Sequence, residues 1–413
     1  MKKYILLVFV AVIVTAGFTC LFFSGCGSNS GGSKDLTGLK FISTFENGNL
    51  YQTNTTADSS QFYVLQLRGS FQEMGRQYGS LLKDQLTDLY GETLVILSQK
   101  GISSATIETI ANLNYDDQSS EMKLVIEGIA ETSGLSLESV KILASMPIYM
   151  FYECSAISAW GDYAKDGTLC FGRNWDMFTG LFSPFAKYMT IVVYNPTGYS
   201  QSIADINFCG TFFPQTCMNS KGLMIEFNNG AMSSSTTDPA GEKPVFLFIP
   251  WLLNSASLEG LITSMEAITP NAAGIINIAD SQQAYSYEMT TTLSLLRAAP
   301  QEGFIAASND FADPRWTNLP YVVSGEASWF TKERRANLYQ FGALNKGQID
   351  ATKIKEILDT TISDGGPTFP ASGAELETCY QVVFTPSSKQ LWFKFRGYSG
   401  WEFIDLSELF DNH

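Results

Sequence analysis

The apolar residues of this chain change their period at one place, and that change limits the folds open to it. From Phe71 to about Ile96 they recur at helical spacing, through Met74, Tyr78, Leu81, Leu82, Leu86 and Leu89. Further helices are predicted near 121–132 and 137–146, with Ser136 as N-cap of the second, so that 71–150 is mostly helical. After Cys154 the pattern turns to short β-type runs separated by turn residues. Strands are predicted at 62–67 ahead of the helices, then at 156–163, 168–172, 188–194, 223–227, 274–278, 284–288 and 304–307. Helices return at 244–253, 258–268, 332–344 and 351–360, and strands at 380–384 and 391–395 close the chain. A helical front followed by antiparallel sheet interrupted by helices is an α+β layered architecture.

The chemistry is narrowed by one residue count. Among 413 residues there is a single histidine, His413, at the end of the chain, where residues are usually poorly ordered. Ser-His-Asp and Cys-His mechanisms and His-ligated zinc therefore drop out. The net charge of −15 argues against nucleic acid as a partner, since phosphate binding needs a basic face.

The N-terminus reads as an export signal. Met1-Lys2-Lys3 is followed by an apolar run from Tyr4 to Phe23, long enough to span a membrane. Phe23-Ser24-Gly25-Cys26 favours cleavage over a permanent span, because it resembles a bacterial lipobox, in which the exposed cysteine, here Cys26, is lipidated. The polar residues after it suit a flexible tether. The expected division is a signal peptide over 1–25, a tether over 26–60, a mostly helical prosegment over 61–153 and a catalytic region over 154–413. Such a protein is extracytoplasmic and held to the membrane by its lipid. Five cysteines remain beyond the signal, and Cys209 and Cys217 are close enough in sequence for a disulfide to be open to them.

A cysteine nucleophile without histidine can use its own α-amino group as base, provided the preceding peptide bond is cut. An α-amine, with a pKa near 8, suits that role at neutral pH. Cys154 lies where the helical front ends. A turn at 165–167 folds the following strand back and brings Arg173 and Asp176 toward it. A guanidinium stabilises a thiolate, and a carboxylate orients an ammonium group. On these residues alone, a buried inert thiol is the competing reading.

Cys154-Ser155, Ala159-Trp160-Gly161-Asp162, Asp166-Gly167 and Gly172-Arg173-Asn174-Trp175-Asp176 together resemble the cysteine N-terminal-nucleophile (Ntn) hydrolases. The nearest branch is that of acyl-CoA:6-aminopenicillanate acyltransferase, with choloylglycine hydrolase, penicillin V acylase and acid ceramidase as further relatives. Gly69-Ser70-Phe71-Gln72-Glu73-Met74-Gly75-Arg76-Gln77-Tyr78-Gly79 resembles the front motif of that branch. Met218-Asn219-Ser220-Lys221-Gly222-Leu223, Ser308-Asn309-Asp310-Phe311 and the closing hairpin at 384–392 follow in the family's order.

The resemblance implies an αββα sandwich, two antiparallel sheets between helical layers, and self-cleavage between Glu153 and Cys154. It implies Cys154 as nucleophile, Arg173 beside its thiol and Asp176 as the carboxylate that holds the freed amine. Asn229, with Asn228 as its competitor, and Asn309 match oxyanion-hole positions. Arg334 matches a late arginine of the site, with Arg335 as the alternative. Glu153 stands where glycine often precedes the nucleophile in the nearest branch.

The reaction so implied is hydrolysis of linear amide bonds in small N-acyl substrates through a Cys154 thioester, with neither metal nor cofactor. Transfer of the acyl group to an amine uses the same residues, and a binding lipoprotein that keeps the fold without the chemistry is the rival reading. The late aromatics Trp392, Phe393, Phe395, Tyr398 and Trp401 are expected to pack rather than to form a substrate platform.

Overall fold

Amphipathic helices need a sheet to cover, and this chain supplies two. The computed structural model describes residues 34–54, 61–146, 152–178, 183–317, 319, 330–370 and 376–411. The signal segment with Cys26, and His413, lie outside them.

The first sheet has ten strands, with β1 (Leu39–Phe45), β2 (Gly48–Thr53) and β3 (Tyr63–Gly69) at one end. Next come β6 (Met189–Pro196), β7 (Ile203–Phe208), β8 (Thr216–Asn219), β9 (Met224–Asn229), β10 (Gly274–Ala279), β11 (Ala284–Met289) and β12 (Ser294–Arg297). All its pairs are antiparallel except β3 with β6. The second sheet runs β13 (Phe304–Ala307), β4 (Tyr152–Ala159), β5 (Cys170–Phe178), β14 (Leu376–Thr385), β15 (Gln390–Phe395) and β16 (Glu402–Asp405), antiparallel throughout.

The helices divide between the outer faces. α1 (Phe71–Leu81), α2 (Lys83–Gln99), α3 (Ser104–Asp117), α4 (Ser120–Ser133), α5 (Leu137–Ala144), α6 (Phe248–Asn254) and α7 (Leu258–Glu266) belong with the first sheet. α8 (Thr331–Leu344) and α9 (Ala351–Asp359) cover the second. Alternation along a strand sends successive side chains to opposite faces. Cys154, Ala156, Phe171, Trp175, Val382 and Phe384 join the large core between the sheets. Ile157, Ala159, Cys170 and Val383 instead meet Leu338 of α8 and Ile354, Ile357 and Leu358 of α9. The order is helix, sheet, sheet, helix, the αββα sandwich expected.

Local signals explain several boundaries. The Ser70 hydroxyl accepts from the Glu73 N–H while Glu73 reaches back to the Ser70 N–H, so α1 opens on a full capping box. Ser136 caps α5 as predicted. The helix expected over 71–96 is two helices, because Leu82 leaves helical geometry at φ −118°, ψ 28°.

One expectation is corrected, and one question the sequence left open is answered. The tether predicted over 26–60 carries β1 and β2, which pair with each other and extend the sheet from β3. β1 is the edge strand and exposes Lys40 and Thr44, while polar Thr53 of β2 is buried, so composition concealed both strands. Cys209 and Cys217 form no disulfide; both thiols are free and buried, and Cys217 Sγ donates to Asp205 Oδ1 at 3.4 Å. Phe393 and Phe395 pack in the large core and Tyr398 against it, while Trp392 and Trp401 pack against the second cluster.

Candidate active site

The pairing of β4 with β5 sets the geometry. Cys154 lies opposite Trp175 and Ala156 opposite Arg173, and directly opposed residues share a face. Arg173 is thus on the Cys154 side, between the sheets, and its Nη2 donates to Cys154 Sγ at 2.8 Å. Asp176 is an odd number of residues further on, so it points to the other face, opposite Glu153 and toward α8.

Arg173 is fully buried and held from several sides. Nη1 donates to Gln215 O at 2.6 Å and Thr216 Oγ1 at 2.7 Å, and lies 3.2 Å from Glu226 Oε2. Nη2 also reaches Phe227 O at 3.3 Å. The Tyr380 ring lies 5.8 Å from the guanidinium carbon and stacks on Trp175. Burial opposes the Arg173 charge, but Cys154 and Glu226 outweigh it and keep the guanidinium charged. Burial raises the Glu226 carboxyl to about 7, against the pull of Arg173 and Asn277. The Cys154 thiol is pushed well above its ordinary range by burial, with Arg173 acting in the opposite direction. Burial thus disfavours the Cys154 thiolate, and Arg173 is the group beside it that favours it.

On the other face Arg334 of α8 is the hub. Nη1 donates to Asp176 Oδ2 at 2.7 Å and to the Cys154 carbonyl at 3.0 Å; Nη2 donates to Asn309 Oδ1 at 3.0 Å and lies 3.6 Å from Glu153 Oε2. Asp176 Oδ1 accepts from Thr378 Oγ1 at 2.6 Å. Burial raises the Asp176 carboxyl to about 6, opposed by Arg334 and Thr378. Arg335, the sequence alternative, turns away and pairs with Asp310 at 2.5 Å.

Asn309 joins the two faces. Its Oδ1 accepts the Cys154 N–H at 2.8 Å, its Nδ2 donates to Asn229 O at 2.9 Å, and its own N–H donates to Thr331 Oγ1 at 3.0 Å. In the continuous chain the Cys154 N–H is therefore held by Asn309, and the Asp176 carboxyl lies on the other face. The reason is strand parity, which places the Asp176 carboxylate on Arg334 and Thr378. Asn228 and Asn229 take different places. The Asn229 side-chain oxygen accepts from Ala231 N–H in the turn after β9, and its main-chain carbonyl serves Asn309. Asn228 is fully buried and donates to Ser308 O at 3.1 Å.

The structure thus gathers Cys154, Arg173, Asp176, Asn309, Arg334 and the Asn229 carbonyl, with Glu153 beside them. Sequence reasoning missed Glu226, Thr216, Thr378, Tyr380 and Thr331. Glu226 and Asn228 sit two apart on one strand, a spacing that puts both on one face, but nothing in the sequence says which face meets Arg173. Next to Phe227 and Asn229 opens a cavity of about 280 Å³, lined further by Phe213, Val245, Ala273 and Lys243.

No family model matches the chain. Protein dcd1B of Dictyostelium discoideum is 26% identical over 179 residues, which take in 38% of this chain and 35% of that protein. The matched part is thus about a third of the length of that relative. Among solved structures, a mutant conjugated bile acid hydrolase from Clostridium perfringens is 15% identical, with a TM-score of 0.44 over 63% of this chain and 95% of its own. Penicillin V acylase from Agrobacterium tumefaciens is 12% identical, with a TM-score of 0.43 over 63% and 89%. A Caenorhabditis elegans ortholog of N-acylethanolamine-hydrolyzing acid amidase is 14% identical, with a TM-score of 0.41 over 56% and 93%. The solved structures are of cysteine Ntn-hydrolase superfamily members.

Proposed function

We propose that this protein is a self-processing cysteine Ntn hydrolase that cleaves the amide bond of small N-acyl substrates. One observation carries the reading: Arg173 Nη2 stands 2.8 Å from Cys154 Sγ while Asn309 and Arg334 hold the main-chain N–H and carbonyl of the same residue. A binding protein has no use for a buried arginine on a thiol whose own main-chain N–H and carbonyl are held by two further side chains.

The chemistry follows from these contacts. Cutting before Cys154 frees an α-amine at the position where Asn309 Oδ1 now accepts a hydrogen bond. That amine takes the thiol proton as Sγ attacks the substrate carbonyl, and Arg173 stabilises the thiolate. The carbonyl oxygen becomes an oxyanion, for which the Asn309 amide is the donor at hand; losing one such donor costs about 3 kcal/mol. The amine product leaves, and water splits the thioester. The cavity beside Phe227 and Asn229 receives the acyl group, since Phe213, Phe227, Val245 and Ala273 give it apolar walls. The basic start, apolar run and Cys26 motif support a lipid-anchored, extracytoplasmic protein.

Intact mass and denaturing gels on the chain extracted from membranes, beside Cys154→Ala, test these statements together. The wild type gives two fragments, one beginning at Cys154 and one at a lipid-modified Cys26. The variant gives one uncut chain that releases no amine from N-acyl amides. A wild type that stays whole, or a variant that still cuts, would remove Cys154 from the reaction.

A further inference from the structure

The residue before the nucleophile is an acid in an unusual setting. Glu153 is fully buried in β4, and neither of its carboxyl oxygens has a hydrogen-bond partner among the described residues. Buried carboxylates are normally paired or hydrogen-bonded, because an isolated buried charge is strongly disfavoured. The groups facing it are few. Asp176 of β5 lies directly opposite, Arg334 of α8 is 3.6 Å away, and Asp310, between β13 and α8, is already tied to Arg335. Among the described residues Arg334 is the one cation close to Glu153, and its donors already serve Asp176, Cys154 O and Asn309.

We propose that self-cleavage requires the Glu153 side chain to be a neutral acid, and that its ionisation holds the precursor uncut. This rests on the self-cleavage reading above. In the reaction Cys154 Sγ bonds to the Glu153 carbonyl carbon, the bond from that carbon to the Cys154 nitrogen breaks, and the thiol proton ends on that nitrogen. Water then splits the thioester, restoring the thiol and leaving a carboxyl on Glu153. Negative charge develops on the Glu153 carbonyl oxygen during attack. A carboxylate on the same side chain lies only a few bonds away, in a fully buried site where screening is weak, and opposes that charge. An ionised Glu153 also competes for Arg334 Nη2, which now steadies the Asn309 oxygen that holds the Cys154 N–H.

The direction of the pH effect follows. Burial raises the Glu153 carboxyl to about 8, with Arg334 pulling it down and Asp176 and Asp310 pushing it up. Below that value the side chain is neutral and cleavage proceeds; above it the side chain ionises and cleavage slows. Thiol ionisation works the other way, since it gains with rising pH, so a falling limb cannot come from Cys154.

The test follows pulse-labelled full-length precursor on denaturing gels from pH 5.5 to 9.5, for wild type, Glu153→Gln and Glu153→Ala. The wild type is expected to cut at least about tenfold more slowly at pH 9 than at pH 6.5. Both variants lose that falling limb and cut at pH 9 at least as fast as at pH 6.5. A wild-type rate that does not fall above pH 8 overturns the proposal, as do variants that slow in parallel with it. So do two variants that fold with the wild-type melting temperature and never cut. In each of these cases the self-cleavage reading stands. A wild type that remains whole across the range ends that reading and this inference together.

Discussion

At the scale of single residues, Arg334 and Arg335 show how much side-chain direction decides. Adjacent in sequence and identical in chemistry, they do different work because a helix turns about 100° between them. Arg334 is fully buried and meets Asp176, Cys154, Asn309 and Glu153; Arg335 remains partly exposed on Asp310. Removing one partner of a buried ion pair leaves an uncompensated charge, at a cost of about 3–5 kcal/mol. Arg334→Met should therefore lower the urea midpoint strongly and abolish cleavage, whereas Arg335→Met should cost less and still cut. Equal midpoints for the two variants in urea titration would mean that Arg334 is not the hub described. The sequence alone offered both arginines, since neither composition nor spacing says which helix face meets the sheet. The same limit applied to Asn228 and Asn229. It applied less to Cys154 and Arg173: the strands expected at 156–163 and 168–172 stopped short of both, but the turn that folds one back on the other was legible.

At the scale of elements, the front motif has a packing explanation. α1 and α4 approach so closely that a Cβ on Gly128 would fall 2.4 Å from Gln72 O and 2.9 Å from Arg76 N, and one on Gly75 would fall 2.3 Å from Val125 O. These obstacles are backbone, so the helices themselves would have to move. In an exposed helix, Gly→Ala gains about 1 kcal/mol. Gly128→Ala should reverse that sign and destabilise by about 1–3 kcal/mol. Gly91→Ala in α2, which meets nothing within 4 Å, should show the ordinary gain. Thermal unfolding of both reads the difference, and a stabilised Gly128→Ala would refute the close approach. Elements with a clean period were legible beforehand, such as β13, α8 and α9. β7 and β8 were not, because Asp205, Asn207, Thr216 and Asn219 interrupt their apolar runs although every residue of both is buried. In such strands polar residues are held by specific partners, which a linear pattern does not contain.

At the scale of the whole molecule, the boundary proposed at Cys154 does not coincide with one in the architecture. The residues ahead of it do not form a detachable cap. From Asp35 onward the chain is one compact unit, and β3 pairs with β6 from Tyr63 against Thr190 to Gly69 against Pro196. Met74, Tyr78, Leu82, Leu86, Leu89, Met122, Val125, Ile126, Ile129, Val140 and Leu143 lie in the same core as Ile191, Val193 and Ile206. Burying one such side chain contributes about 1.5–3 kcal/mol. Exposing the whole set at once would exceed the roughly 5–15 kcal/mol that stabilises an ordinary domain. Cutting the peptide bond before Cys154 removes none of these contacts. The two pieces should therefore elute together at the mass of the full chain in native size-exclusion chromatography, and separate only in denaturant. A short piece that elutes alone under native conditions would show instead that the helical front is a true prosegment, released on maturation. Co-elution would make it a permanent part of the fold, with β3 still completing the sheet whose β9 holds Glu226 against Arg173.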